Sequence, residues 1–251
     1  MTGVPEVAAL LERLDGVDHV DLPTLTREEL LSLGDLPAFG DADDLAWWGG
    51  LSSETRDEVA AGAQRGLLGR RLIGPDADPT RVRVDPDLQV TLAIRSAPAF
   101  LTVVGVPGRP TPSVRALGVL DEHGAVSAVL LERRPVAGVC DFVLASESYA
   151  AMAVTRFLFE PPTADDPDAR PVDSPLQRVL LRRVETFAAG DPTGVRHLAY
   201  AGVTAGALAP IDARGHAGVP VPVTEASMID TVRAEWRGVA QRVLTAQSPA
   251  P

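Results

Sequence analysis

The stretch VRALGVLDEHGAVSAVLLERRPVAGVCDFVLA, residues 114–145, holds three apolar, β-branched runs separated only by short turn segments. Asp121-Glu122-His123-Gly124 has the composition of a hairpin turn, and Arg133-Arg134-Pro135 marks a second break. No helix-length crossover fits between the runs, so they predict an antiparallel meander. With the run at 99–104, this gives four strands, at 99–104, 114–121, 125–132 and 138–145.

Outward from that meander, the N-terminal side reads as helices. Residues 5–14 open with Pro5 and carry Leu10, Leu11 and Leu14. A brief extended stretch around Val20 and Leu22 follows. Thr26-Arg27-Glu28-Glu29 has the form of a capping box, with Gly34 as the stop. Trp47-Trp48 are expected to be core or lobe-packing residues. A helix from Ser53 to about residue 68 places Val59, Ala63 and Leu67 on one face. After a short strand at 81–84, Asp85-Pro86-Asp87-Leu88 caps a further helix that ends before Pro98.

On the C-terminal side, Ser146 caps a helix to about Phe159, with Tyr149, Met152, Ala153 and Phe157 on one stripe. Residues 160–174, polar and broken by prolines, predict a linker. A helix from Ser174 is expected next, carrying Leu176, Val179, Leu180, Val184 and Phe187 and closed by Gly190. Strands near 195–200, 203–211 and 219–223 come after it. Thr224 then caps a last amphipathic helix with Met228, Ile229, Val232, Trp236, Val239 and Val243 on one face. The whole predicts an α+β protein, an antiparallel meander with flanking helices in two pseudo-symmetric sub-lobes. Residues 1–160 form the first and 174–246 the second, joined as one compact unit by the loop 160–174.

Composition excludes several classes. No apolar run approaches the ~18–20 residues of a bilayer-spanning helix, so no membrane insertion is expected. Met1 to Glu6 lack a basic-then-apolar leader, and Cys140 is the only cysteine, which together predict a reducing, cytoplasmic setting. All 23 basic residues are arginine, so there is no phosphate-loop or Schiff-base lysine. Residues 1–60 hold 14 acids and three arginines, which is the whole net charge of −11; the remainder balances. Such a field repels nucleic acid and can steer a basic partner, or simply keeps the chain soluble.

Chemistry-bearing patterns are sparse. His19, His123, His197 and His216 form no metal-ligand spacing, no Gly-x-Ser-x-Gly elbow exists, and Cys140 falls in an apolar strand. The glycine pairs at 66/69 and 105/108 complete no phosphate fingerprint, and the aspartates at 41, 43, 44 and at 165, 166, 168 read as solvated loops. Neither a catalytic residue, nor a metal, nor a cofactor is expected. A dispersed active site, such as Cys140 with His197, stays open as an alternative. So does a winged helix, with the helix at 53–68, Arg70-Arg71, and a wing from Val82 and Val84.

Gln64-Arg65-Gly66-Leu67-Leu68, then Val84-Asp85-Pro86-Asp87-Leu88 and Pro98-Ala99-Phe100-Leu101, resemble the progression of the EspG family. These are cytosolic chaperones of type VII (ESX) secretion in actinobacteria. The likeness runs as a succession of elements over about residues 20–245. Where the family has an arginine- and tyrosine-bearing DT-x-x-GRY region, this chain has Ile211-Asp212-Ala213-Arg214-Gly215-His216. The resemblance implies a pseudo-two-fold α+β body that binds the tip of a helical PE–PPE-like protein pair and keeps it soluble for export. It also directs attention to the segment Gly105 to Ser113, stiffened by three prolines, as a partner-binding loop. Val106, Arg109 and Pro110 are its candidate contacts, although a plain surface loop accounts for the same residues.

Overall fold

The computed structural model describes residues 5–34, 42–78, 80–106, 114–134, 138–159, 170–172, 174–188, 191–202, 206–212, 214 and 216–247. The N-terminal elements are α1 (Pro5–Leu14), β1 (His19–Thr26), α2 (Arg27–Ser32), α3 (Ala42–Gly50), α4 (Ser53–Gly69), β2 (Ile73–Pro75), β3 (Val82–Val84) and α5 (Pro86–Ser96). The meander follows as β4 (Phe100–Gly105), β5 (Val114–Leu120), β6 (Val126–Arg133) and β7 (Val139–Ala145), then α6 (Glu147–Phe159). The rest is β8 (Arg170–Val172), β9 (Ser174–Ala188), β10 (Asp191–Gly202), β11 (Gly206–Pro210), β12 (Val221–Val223) and α7 (Glu225–Gln247).

Ten strands form one antiparallel sheet in the order β1-β7-β6-β5-β4-β9-β10-β11-β12, with β8 on β9, while β2 and β3 form a separate hairpin. The fold is therefore the α+β meander with flanking helices that the sequence predicts. Its two halves have one topology. β4 to β7 run outward and return through α6, and β9 to β12 run outward the other way and return through α7. The halves meet where β4 pairs antiparallel with β9, Phe100 opposite Ala188 and Val104 opposite Val184. Strands from both predicted segments thus share one continuous sheet.

The helix expected from Ser174 is instead the 15-residue strand β9. Its apolar residues fit a helical stripe, but Val179, Val184, Thr186 and Phe187 also suit a pleated surface. Pairing decides between them. β4 at the middle of the sheet needs a second neighbour for its free backbone groups, and β9 supplies it. Residues 170–172 of the predicted linker form β8 on β9; residues 160–169 and 173, like Gly190 and the C-terminal tail from 248, lie outside the described residues. The stretch around Val20 and Leu22 is the longer strand β1, bulged between Leu22 and Leu25, and it holds one sheet edge against β7. Pro23 at this edge and Pro222 at the β12 edge have no amide hydrogen to offer an incoming strand.

Capping follows the residues. Thr26 and Glu29 make the reciprocal box of α2 at 3.2 and 2.9 Å. Asp85 accepts from the amides of Asp87 and Leu88, Ser146 from that of Tyr149, and Thr224 from that of Ser227.

Two cores sandwich the sheet. On one face α1, α2, α4 and α5 pack Leu10, Leu30, Leu67, Leu88 and Ile94 onto Leu25, Leu117, Leu130 and Phe142. On the other, α6 and α7 pack Val154, Leu158, Met228, Val232 and Trp236 onto Phe100, Val104, Val129 and Leu131. Most of the predicted α7 stripe is buried here, with Ile229 and Val243 partly so. Gly118 lies opposite Phe100, whose ring occupies the space a Cβ would need, and that ring stacks on Trp236 at 5.6 Å. The Trp236 indole donates to Thr102 Oγ1 at 2.8 Å, and Thr102 meets Thr186 at 2.9 Å across the β4–β9 seam.

Two substitutions test this junction. Trp236→Phe keeps a ring against Phe100 but leaves Thr102 without its donor, and should lower unfolding free energy by about 1–2 kcal/mol in urea titration. Gly118→Ala should cost about 1–3 kcal/mol through overlap with Phe100, and adding Phe100→Leu should recover part of that loss in a double-mutant cycle.

Candidate functional site

Charged residues that look alike in sequence are sorted by the sheet. Arg133 and Arg134 are adjacent on β6 and its end, so alternation sends them to opposite faces. Arg134 goes to the face of α5, where Glu132, 1% exposed, also pairs with Arg95 and with Arg115 at 3.2 Å. Arg134 continues to Asp44 at 2.8 Å, and Asp44 lies 3.8 Å from Arg27, whose guanidinium sits 3.8 Å over the Trp47 ring. Asp44 is therefore not a solvated loop residue, as the sequence predicts, but a clip holding α3 and half-buried Trp47 to the sheet end. The desolvation of buried Glu132 is offset by its contacts with Arg95, Arg115 and Arg134, and removing one of these partners would leave charge uncompensated.

The four histidines have separate surroundings. His123 and His216 are exposed beside Glu122 and Asp212. His19 stacks on Tyr149 at 4.4 Å. His197 Nε2 lies 2.7 Å from Glu235 Oε1, and its Nδ1 is buried without a partner among the described residues, so neither nitrogen is open to a substrate. Cys140 is buried on β7, with β6, β5, β4 and β9 between it and the β10 strand of His197. That separation, on the order of 24 Å at ~4.8 Å per strand, rules out the Cys140–His197 pairing. Among the described residues no three of His, Cys, Asp and Glu cluster as metal ligands.

One concave feature among the described residues is a groove of about 600 Å³ along α6, at the sheet end where β4 finishes and β5 starts. Val114 and Leu131 form its floor. Its long wall is Tyr149, Met152, Ala153 and Phe157, the stripe that helical spacing picks out. These four are half-buried, whereas Ala150, Ala151, Val154 and Leu158 carry the helix into the core. α6 thus has two apolar faces. The small residues let it approach the sheet closely, and the Met and aromatic residues are left at the groove. That contrast in size is the sequence signal that could have told them apart.

Phe159 closes one end, lying where a Cβ on Gly206 would be, next to Val223. The charged rim consists of Arg133, Arg156 and Glu225, with Arg156 and Glu225 paired at 3.2 Å. None of these, nor Gly206 or Val223, is singled out by spacing, because they converge from β6, α6, β11, β12 and α7. The wall is held rigidly. Glu147 in the first turn of α6 accepts from Arg233 and Arg237 of α7 at 3.3 and 2.7 Å, and this carboxylate holds the Arg237 guanidinium above its ordinary pKa.

Of the loop residues proposed from sequence, Val106 is half-buried just past β4, and Arg109 and Pro110 lie outside the described residues. The roots of that loop, Gly105 and Val114, stand at the groove end of the sheet, and Val114 lines the groove itself.

If the stripe is wall rather than core, its truncation should be tolerated. Phe157→Ala and Met152→Ala should each cost about 1 kcal/mol or less of unfolding free energy, against about 2–5 kcal/mol for Leu158→Ala, read in parallel denaturant titrations.

No known family model matches this chain, and no curated protein matches it either.

Proposed function

We propose that this chain is a cytoplasmic adaptor of the secretion-chaperone type, which shelters an apolar helical segment of a partner protein in the groove along α6. The observation that carries the reading is the row Tyr149, Met152 and Phe157. These are large apolar side chains left half-exposed on a helix whose opposite face is fully packed. Aromatic and Met side chains on a rigid concave surface are the usual anchors of protein recognition. The resemblance to the EspG family supports the same reading, since that family's pseudo-two-fold body matches two meanders joined at β4–β9. It makes a PE–PPE-like helical pair the partner to try first. No described helix is long and apolar enough to cross a membrane, which accords with the proposed setting.

The winged-helix alternative has a helix followed by a hairpin, α4 then β2–β3. Against it, Arg70 is taken up by Glu29 at 2.6 Å and by the Thr24 carbonyl. The exposed N-terminal turns of α4 also carry Glu54, Asp57 and Glu58, which would face phosphates. For an enzyme reading, the titratable groups at the groove are Tyr149 on its wall and the rim residues Arg133, Arg156 and Glu225, the last two already paired with each other.

Coexpression with helical PE–PPE-like pairs, followed by gel filtration, tests the proposal. A stable complex is expected, weakened about tenfold or more by Met152→Glu or Phe157→Glu with Tm little changed. Failure to form a complex, or one indifferent to both variants, would overturn the reading, as would specific duplex binding at physiological salt.

A further inference from the structure

We infer that the groove is selective for a carboxylate: its occupant is an amphipathic partner helix bearing one Asp or Glu beside its apolar stripe, and Arg133 reads it. The inference rests on the adaptor reading and names the chemistry that reading leaves open. Of the charged groups at the rim, Arg156 is already answered by Glu225. Arg133 is exposed at the end of β6, beside floor residue Val114, and forms no ion pair with a described residue. Its cross-strand neighbour on the same face, Asp141, accepts from the Thr24 hydroxyl at 2.7 Å and does not pair with it. Its sequence neighbour Arg134 is committed to Glu132 and Asp44 on the other side of the sheet.

Of its two rim guanidinium groups, the groove therefore presents one, that of Arg133, without an ion-pair partner among the described residues, above an apolar floor and within a chain of net charge −11. An acidic chain gains nothing from a general attraction to an acidic partner, so recognition of a carboxylate here has to be local. A guanidinium with part of its surroundings apolar binds a carboxylate more strongly than one in open water, and its fork fixes the orientation of the pair. Length sets the rest. The wall from Tyr149 to Phe157 covers eight helical steps, or ~12 Å at 1.5 Å per residue, which matches two to three turns of a docked helix. Its apolar side chains at i, i+3 and i+4 would meet Met152 and Phe157, with the acid reaching Arg133 at one fixed position.

A displayed library of amphipathic helices about four turns long, selected on the full chain, tests this whatever the partner's identity. Enriched sequences should share an acidic residue at one position relative to two large apolar ones. In fluorescence polarisation, changing that Glu to Gln should weaken binding to the wild type about tenfold and have little effect with Arg133→Gln. Arg133→Glu should turn the preference toward Lys or Arg, and Arg156→Gln should leave it unchanged. Enrichment that depends on Met152 and Phe157 but shows no acidic preference, or keeps it in Arg133→Gln, overturns the inference and leaves the adaptor reading standing. No enrichment on any variant overturns both.

Discussion

Two threonine hydroxyls, Thr102 on β4 and Thr186 on β9, meet at the seam where the halves of the chain join, and the Trp236 indole donates into that pair. All three residues are essentially fully buried, so each hydrogen bond left unmade would cost the desolvation of a polar group. The indole can only donate, so Thr102 is free to donate to Thr186, and Thr186 lies 3.4 Å from Glu235. Glu235 also meets His197 on β10, which ties α7 to three consecutive strands. The seam thus sets the position of α7 over the sheet as well as the pairing of the two meanders.

The groove is a consequence of that placement. α6 lies against α7, fixed by Glu147 with Arg233 and Arg237, and buries its alanine face. One flank of α6 is then covered by α7 and the other is left over the sheet end where β5 begins and β6 finishes. A helix whose covered face consists of small residues can approach the sheet closely, and the larger side chains must stand to the side. The packing behind Tyr149, Met152 and Phe157 holds these half-buried side chains in place along the groove. Preorganisation of this kind reduces the ordering cost of binding.

Some elements were legible because their signals are local. The capping box at Thr26, the Asp85 and Thr224 caps, and the hairpin turn at Asp121 to Gly124 depend on residues within a few positions of one another. β9 was not, because its apolar spacing satisfies both a helical and a pleated reading, and only the pairing with β4 chooses. Asp44 was misread for a similar reason. Its partners Arg134 and Arg27 are distant in sequence, and an acidic cluster in isolation looks solvated. At the groove, the α6 stripe could be picked out from spacing, yet spacing alone did not say that it was the uncovered face.

By itself the sequence determined the class of fold, the meander, the caps and the apolar faces of the terminal helices, since all of these follow from backbone period and from short-range hydrogen bonds. It also set the absence of lysine and the concentration of acid in the first 60 residues. Only the tertiary structure decided that β9 completes the sheet beside β4, that Arg133 and Arg134 serve opposite faces, and that Met and aromatic residues of α6 are half-buried along a groove. Each of those outcomes depends on which distant segment arrives to satisfy a free strand edge, a buried charge or an apolar face, and that is settled by packing in three dimensions rather than by neighbours along the chain.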